Sequence, residues 1–282
     1  MKAIQTIKDM EQIITSLKYS GKKIGFVPTM GYLHEGHQTL MKQARKENDV
    51  LVVSIFVNPL QFGVGEDLDA YPRDFERDRI IAEQEGVDIL FNPTVEEMYP
   101  NSSTVKVLVK DRTDVLCGKS RPGHFDGVAT VLTKLFHIVL PDRVYFGLKD
   151  AQQIAVVDGL IQDFNFPIDL VPVPTVREKD GLAKSSRNVF LAPLERDQAK
   201  ELYQSLQLAK TVIEQGERNP EEIVQLVKGH INKTCDATID YVELRSYPQL
   251  RSIETIVGKV ILAVAVKFSK ARLIDNIILE IV

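Results

Sequence analysis

IGFVPTMGYLHEGHQTL, running from Ile24 to Leu40, opens on a short apolar run that reads as a buried strand. Pro28 is expected to stop that strand, and Thr29-Met30-Gly31 to turn the chain. Helical periodicity begins near Gly36 and continues through Leu40, Met41 and Ala44 towards Asn48. A second apolar run, Val50 to Phe56, follows at once. Strand, helix and strand at this spacing form a βαβ unit, with parallel strands and a right-handed crossover. Met30 to His37 then lies where the first strand ends and the helix begins. Open α/β sheets bind ligands there, and the first N–H groups of the helix favour an anion.

His34 and His37, three residues apart at a helix start, can share one face. Each imidazole can donate a hydrogen bond and either can protonate, which suits a polyphosphate. Gly31 and Gly36 leave room where phosphates would approach the backbone. Two other readings compete: a glycine turn without a ligand, and half of a metal site. Zinc would need further Cys or His ligands, and the sequence holds no such cluster nearby. Phosphate binding is the better fit.

A chain of 282 residues can bury a large core and hold one large domain or two. Its 44% hydrophobic and 26% charged residues match a soluble globular protein, and a net charge of -4 argues against nucleic acid as a partner. Cys117 and Cys235, outside any CxxC spacing, fit a reducing cytoplasm. Lys and Asp interrupt the apolar positions of MKAIQTIKDMEQI, so no signal peptide is expected there. No apolar run reaches membrane-spanning length, so no membrane partner is expected.

Thr6–Leu17 reads as an amphipathic helix covering one side of the sheet. After the second strand, Asn58-Pro59-Leu60-Gln61 again places polar groups at a carboxyl end. The two amides suit hydroxyl or carboxylate groups of a small substrate; a proline-directed turn capped by Asn58 is an equal reading. A helix is expected from Pro72 to about Glu85, then strands at Asp88–Phe91 and Val105–Val109. Asp111–Gly123 reads as a loop, and its Gly118-Lys119-Ser120 is no P-loop because position 113 is Thr. Arg121 and His124 could face a ligand, although a loop cap or a salt bridge is the simpler reading. A strongly apolar helix spans Asp126–Val139. The strand Arg143–Phe146 and a helix to about Phe164 flank Gly147-Leu148-Lys149-Asp150-Ala151-Gln152-Gln153. Asp150 and Gln153 fit a capping box, whereas Lys149 is unfavourable at a helix start unless an anion sits there. Ile168–Val173 follows, stopped by Pro172 and Pro174.

From Val176 the pattern changes. Lys184-Ser185-Ser186-Arg187 reads as a solvated loop, but hydroxyls beside Lys and Arg are also what clamps a triphosphate. Helices at about Pro193–Gln215 and Pro220–Lys233 precede strands at Ile239–Leu244, Lys259–Phe268 and Arg272–Ile281. Helices followed by strands mark an α+β unit. The expected architecture is α/β: a Rossmann-like parallel sheet with helices on both faces over residues 1–175, plus a smaller C-terminal α+β domain over 176–282.

PTMGYLHEGH at 28–37, FVNPLQFG at 56–63, YPRDFERD at 71–78, RPGHFDGVATVL at 121–132, FGLKDAQQ at 146–153 and DGLAKSSRN at 180–188 together resemble the pantothenate synthetase (pantoate–β-alanine ligase) family, within the HIGH-motif nucleotidylyltransferase superfamily. The resemblance covers essentially the whole chain. It implies a cytoplasmic, homodimeric ligase that converts pantoate and ATP to pantoyl adenylate and pyrophosphate. β-Alanine then attacks the adenylate to give pantothenate and AMP; an exposed adenylate would hydrolyse, so the domain over 176–282 is expected to close as a lid. By the same resemblance Met30, Gly31, Tyr32, Leu33, His34, Glu35, Gly36 and His37 bind ATP, with His37 as the catalytic acid. Gly147, Leu148, Asp150 and Val176 contact the nucleotide, and Lys149, Lys184, Ser185, Ser186 and Arg187 belong to the same site. Gln61 and Gln153 bind pantoate, with Gln61 also near β-alanine, and Asn58 is a weaker candidate for the same substrate site. Leu148 stands where the family often has Glu, and Lys184 where it often has Met, which weakens side-chain roles at both. Mg²⁺ is the natural charge carrier with ATP, without protein ligands to name. The rival readings are a relative that transfers AMP to a phosphorylated acceptor, a tRNA-charging relative, and a nucleotide sensor without turnover.

Overall fold

The computed structural model describes residues 1–63, 65–66 and 68–282. The chain begins β1 (Lys2–Ile4), α1 (Ile7–Tyr19), β2 (Ile24–Thr29), α2 (Glu35–Glu47), β3 (Val50–Ile55), α3 (Phe75–Gln84), β4 (Ile89–Phe91) and α4 (Val95–Met98). A short helix α5 (Leu116–Ser120) precedes α6 (His124–Val139), β5 (Arg143–Gly147), α7 (Ala151–Asp163) and β6 (Asp169–Val173). The remainder is α8 (Pro193–Ala199), α9 (Glu201–Glu214), α10 (Pro220–Thr234), β7 (Thr238–Ser246), β8 (Gly258–Lys267) and β9 (Arg272–Ile281).

Contacts divide the chain into two compact units. One takes in 1–110, 121–148 and 156–174, and the other takes in 111–120, 149–155 and 175–282. In the first, six strands form one sheet in the order β1-β4-β3-β2-β5-β6, with every neighbouring pair parallel. All of β3 is buried, as a strand covered on both faces must be. Helices α1 and α6 pack together, as do α2 and α3. The order reverses at β2, whose neighbours β3 and β5 lead the chain in opposite directions. The carboxyl ends of β2 and β5 therefore flank the switch point where such sheets bind ligands.

In the second unit β7, β8 and β9 make an antiparallel sheet. Its core joins Leu202, Leu206 and Ile213 of α9 and Ile223, Val227 and Ile231 of α10 to Val260, Leu262 and Val264 of β8. The grouping of 111–120 and 149–155 with this unit departs from a simple division at 175. A second apolar cluster explains it: Val115, Leu116, Ala151 and Ala155 pack with Tyr247, Ile261 and Ala263. Gln152 adds polar ties, bonding the Cys117 N–H and the carbonyls of Arg112 and Val115.

Four local expectations need correction. Pro28 does not end β2, which runs on to Thr29; pairing with β5 has stopped at Phe26, so the missing N–H is tolerated there. Pro172 likewise lies inside β6, at the sheet edge. Val105–Val109 is not a strand, and Val105 and Leu108 are 77% and 59% exposed, because alternation without a partner strand makes no ladder. The supposed loop 111–123 contains α5.

Candidate functional site

The turn after β2 is built by hydrogen bonds from two other elements. Thr29 Oγ1 donates to the Ser54 carbonyl of β3 and accepts from the Gly31 N–H at 3.1 Å. The Asp78 carboxylate of α3 then accepts the N–H groups of Tyr32 and Leu33, each at 2.7 Å. Gly31 has φ +85°, and a Cβ there would meet Asp78 Oδ2 and Ile55 Cγ2 at 2.9 Å each. Only glycine fits so close a carboxylate in that conformation. Asp78 is 1% exposed. Its burial pushes the carboxyl above the usual range, outweighing the Leu33 and Tyr32 N–H bonds and the nearby Arg77.

Helix α2 starts with a capping box made of two histidines. His34 Nδ1 accepts from the Gly36 N–H at 3.1 Å, and His37 Nδ1 accepts from the His34 N–H at 3.3 Å. The rings lie 4.1 Å apart, tilted by 38°. An Nδ1 that accepts carries no proton, so in each neutral ring the proton sits on Nε2. One backbone motif thus fixes the tautomer of both rings.

After β3, Asn58 and Gln61 are nearly buried, at 1% and 8% exposure. Asn58 Nδ2 donates to Gln61 Oε1 at 3.1 Å and to the Gly127 carbonyl at 3.0 Å. Its Oδ1 accepts from the Tyr99 hydroxyl at 2.9 Å and the Leu60 N–H at 3.3 Å. These four bonds use the whole capacity of the amide. Gln61 Nε2 points at Met30 Sδ, 3.1 Å away. Behind Gln61, His124 Nδ1 donates to its backbone carbonyl at 2.7 Å, with Arg121 Nη2 at 3.3 Å. Arg121 also forks onto Glu66 at 2.8 and 2.5 Å, and that bond holds the Glu66 carboxyl below its usual range against the effect of burial. Arg121 and His124 therefore take the structural reading of the two open to them.

In the second unit, residues 176–184 form a hairpin: Lys184 N–H bonds the Val176 carbonyl at 2.9 Å, and Glu178 N–H bonds the Leu182 carbonyl at 2.8 Å. Arg177 forks onto the buried Asp275 at 2.6 and 2.9 Å and stacks 3.7 Å above the Tyr203 ring. Ser185 caps the short 3₁₀ turn Ser186–Phe190 by accepting the Arg187 N–H. Lys149, Ser185, Asn188 and Asp275 line a small cleft of about 240 Å³, counting the solvent at its mouth. Lys149 Nζ lies 3.5 Å from the Asp150 carboxylate, so part of the negative charge that this cation needs at the helix start comes from the protein itself. Its backbone carbonyl accepts from Asn276 Nδ2 at 2.9 Å.

A family model described as pantoate-beta-alanine ligase matches residues 2–278. The chain belongs to the pantoate–β-alanine ligase family. It is 67% identical to the pantothenate synthetase of Geobacillus sp. (strain WCH70), over 98% of both chains. The crystal structure of pantothenate synthetase from Thermus thermophilus superimposes with a TM-score of 0.93 at 44% identity, covering 98% of this chain and 99% of that one. The Francisella tularensis pantoate–β-alanine ligase, complexed with β-γ ATP and β-alanine, gives a TM-score of 0.80 at 36% identity, covering 98% of this chain and 97% of that one. The chain is accordingly an enzyme that ligates pantoate and β-alanine.

The residues expected of such a ligase fall in both units. Met30 to His37, Asn58, Gln61, Gly147 and Leu148 belong to the first; Lys149, Asp150, Gln153, Val176 and Lys184 to Arg187 belong to the second. Asp78, Tyr99, Arg177 and Asp275 escaped the sequence reading. Of these, Asp78 alone left a trace, inside the YPRDFERD stretch.

Proposed function

We propose that the ligation runs through pantoyl adenylate and that the paired histidines at the start of α2 serve its phosphates. A pantoate carboxylate oxygen attacks the α-phosphorus of ATP, the bond to the bridging oxygen breaks, and pyrophosphate leaves. β-Alanine then attacks the acyl carbon and AMP departs with its phosphate oxygen. The observation carrying this reading is the reciprocal cap of His34 and His37, which assigns the proton of each neutral ring to Nε2. Two fixed N–H donors beside helix N–H groups suit growing negative charge on a leaving group. His37 is the acid, and His34 holds the phosphates.

The first unit further offers the Gly31–Gly36 backbone, with Tyr32, Leu33 and Glu35, and the second offers Lys149, Ser185, Ser186 and Arg187. Gly147, Leu148, Asp150, Val176 and Lys184 contact the nucleotide, in large part through backbone groups. Gln61 and Gln153 bind pantoate; Asn58, whose amide is fully used inside the protein, orients Gln61. No group of three or more His, Cys, Asp or Glu that could hold a metal occurs among the described residues, so Mg²⁺ would arrive with the nucleotide and would neutralise part of its phosphate charge. The enzyme works as a homodimer in the cytoplasm; its two thiols, Cys117 and Cys235, are both free, as a reducing compartment keeps them. Among the described residues no helix is long and apolar enough to cross a membrane.

Exchange of labelled pyrophosphate into ATP tests the chemistry. It should require pantoate and proceed without β-alanine. His37→Ala should lose exchange by a factor on the order of 10²–10⁴. His37→Gln is the sharper variant, because glutamine at the third helical position can still cap the helix but cannot donate a proton as an acid. It should keep the melting temperature and lose exchange. Exchange near the wild-type rate in His37→Gln would remove His37 from the chemistry.

A further inference from the structure

Tyr99 follows α4, and its hydroxyl donates to Asn58 Oδ1 at 2.9 Å. The Asn58 amide has no choice of orientation. Its Nδ2 faces the Gly127 carbonyl, which can only accept, and its Oδ1 faces the Leu60 N–H, which can only donate. A flipped amide would set donor against donor and acceptor against acceptor. The Tyr99 hydroxyl adds a second donor on the Oδ1 side. The second Nδ2 hydrogen is thereby left for Gln61, whose facing atom must be the acceptor Oε1, and that is the atom found there at 3.1 Å. Gln61 in turn has its Nε2 directed to Met30 Sδ at 3.1 Å. A thioether is a weak acceptor, so a substrate oxygen displaces it at little cost.

The geometry points to Tyr99 as a positioning residue for the acid substrate: it joins the two backbone groups that fix the Asn58 amide, and so helps hold Gln61 with N–H donors presented and not its carbonyl. The inference rests on the reading of Gln61 as a pantoate ligand and deepens it. A Gln61 held this way selects oxygens that accept, such as a carboxylate or a hydroxyl used as an acceptor, and disfavours a donor such as an ammonium group in the same place. Direction is transmitted along three side chains, from the Tyr99 phenol through Asn58 to Gln61. The ring itself serves another purpose, packing 6.1 Å from the Phe56 ring with Lys134 Nζ 5.6 Å from its centre. Phenylalanine preserves that packing.

Tyr99→Phe is therefore the test, read as steady-state constants for each substrate. Pantoate KM should rise about three- to tenfold while ATP KM holds, and the melting temperature should fall by no more than the few degrees that one net hydrogen bond carries. In a Gln61→Ala background the same substitution should have no further effect, because both changes act through one amide. Four results separate the possibilities. If Gln61→Ala alone leaves pantoate KM unchanged, the underlying reading of Gln61 is wrong, and the relay falls with it. If Gln61→Ala raises KM but Tyr99→Phe does not, the relay is wrong and the ligand assignment stands. A Tyr99→Phe effect of equal size in both backgrounds shows that the phenol acts elsewhere and overturns the relay. Asn58→Asp, nearly isosteric, keeps the acceptor for Tyr99 but replaces the donor facing Gln61 Oε1. It must raise pantoate KM more than Tyr99→Phe does, and an unchanged KM would overturn the relay by a second route.

Discussion

Replacing Gly127 by alanine tests whether close packing holds the segment that carries Asn58 and Gln61. A Cβ on Gly127 would lie 2.2 Å from the Leu60 oxygen, 2.4 Å from the Leu60 carbonyl carbon and 2.6 Å from the Gln61 nitrogen. All three atoms are backbone, so no rotamer change relieves the clash. Ordinary contact begins at 3.4 Å, so the segment must withdraw by roughly 1.2 Å. Overpacking of this kind costs about 1–3 kcal/mol. In a chain of this size each kcal/mol lowers the melting temperature by roughly 2–4 °C. The same withdrawal stretches the Asn58–Gly127 bond from 3.0 Å and the His124 bond to the Gln61 carbonyl from 2.7 Å. A misplacement of about 1 Å in a substrate-positioning group costs on the order of 10²-fold in rate. Gly127→Ala should therefore fold with a reduced melting temperature and lose pantoate-dependent pyrophosphate exchange by that order. Its ATP affinity, measured by calorimetry, should stay within about twofold, since the bond that ties this segment to the turn before α2, from Gln61 Nε2 to Met30 Sδ, has only a thioether as acceptor and is weak. Wild-type pantoate KM together with an unchanged melting temperature would refute the reasoning, because the clash would then have been absorbed without moving Gln61.

Two further predictions concern carboxylates. Asp78→Asn can accept only one of the Tyr32 and Leu33 N–H bonds and turns an N–H₂ on the other, so it leaves a buried donor unsatisfied at about 1–3 kcal/mol; weaker ATP binding with unchanged pantoate KM is expected by calorimetry and kinetics, and unaltered ATP affinity would count against a role for the turn. Glu66, held below its ordinary value of 4.5 by Arg121, contributes stability that is present above that value and is lost as pH falls through its lowered folded value. Urea unfolding of wild type and Glu66→Gln should differ at neutral pH and converge in acid, and a difference independent of pH would show that the ion pair is not its source.

The parallel sheet was legible because its periodicity changes where its elements change. Val50–Ile55 is apolar almost throughout, as a strand covered on both faces must be, while α2 buries only Leu40, Met41 and Ala44 at helical spacing. The failures have a common cause, since pattern reports what a segment can do and not what lies beside it. Val105–Val109 alternates like a strand but finds no partner ladder. Pro28 carries a stop signal that its surroundings override, because pairing with β5 has already ended when the proline arrives. The start of α7 looked like part of the first unit from its place after β5. Its allegiance comes instead from Ala151 and Ala155 packing with Tyr247 and Ile261, about a hundred residues later and invisible to any local window.

The site divides in the same way. His34, His37, Gln61 and the Lys184–Arg187 stretch sit in local motifs at strand ends and turns, where residue type and position together point to a ligand. The groups that hold them do not. Asp78 is separated from Tyr32 by 46 residues and lies between exposed Arg77 and half-buried Arg79 on a helix whose sequence looks like a solvated face. What marks it is the energetics of burial, for a carboxylate at 1% exposure is tolerable only with strong partners, and two N–H groups of the turn after β2 provide them. Tyr99 is similar: its signal is a phenol whose donor closes the last lone pair of a buried amide 41 residues away. A group that touches the substrate is constrained by chemistry that a short motif can express. A group that orients it is constrained only by where another element happens to present an unsatisfied donor or acceptor, and that address is written in the fold. Counting the hydrogen-bond capacity of each buried amide and carboxylate therefore recovers the supporting layer that motif reading leaves out.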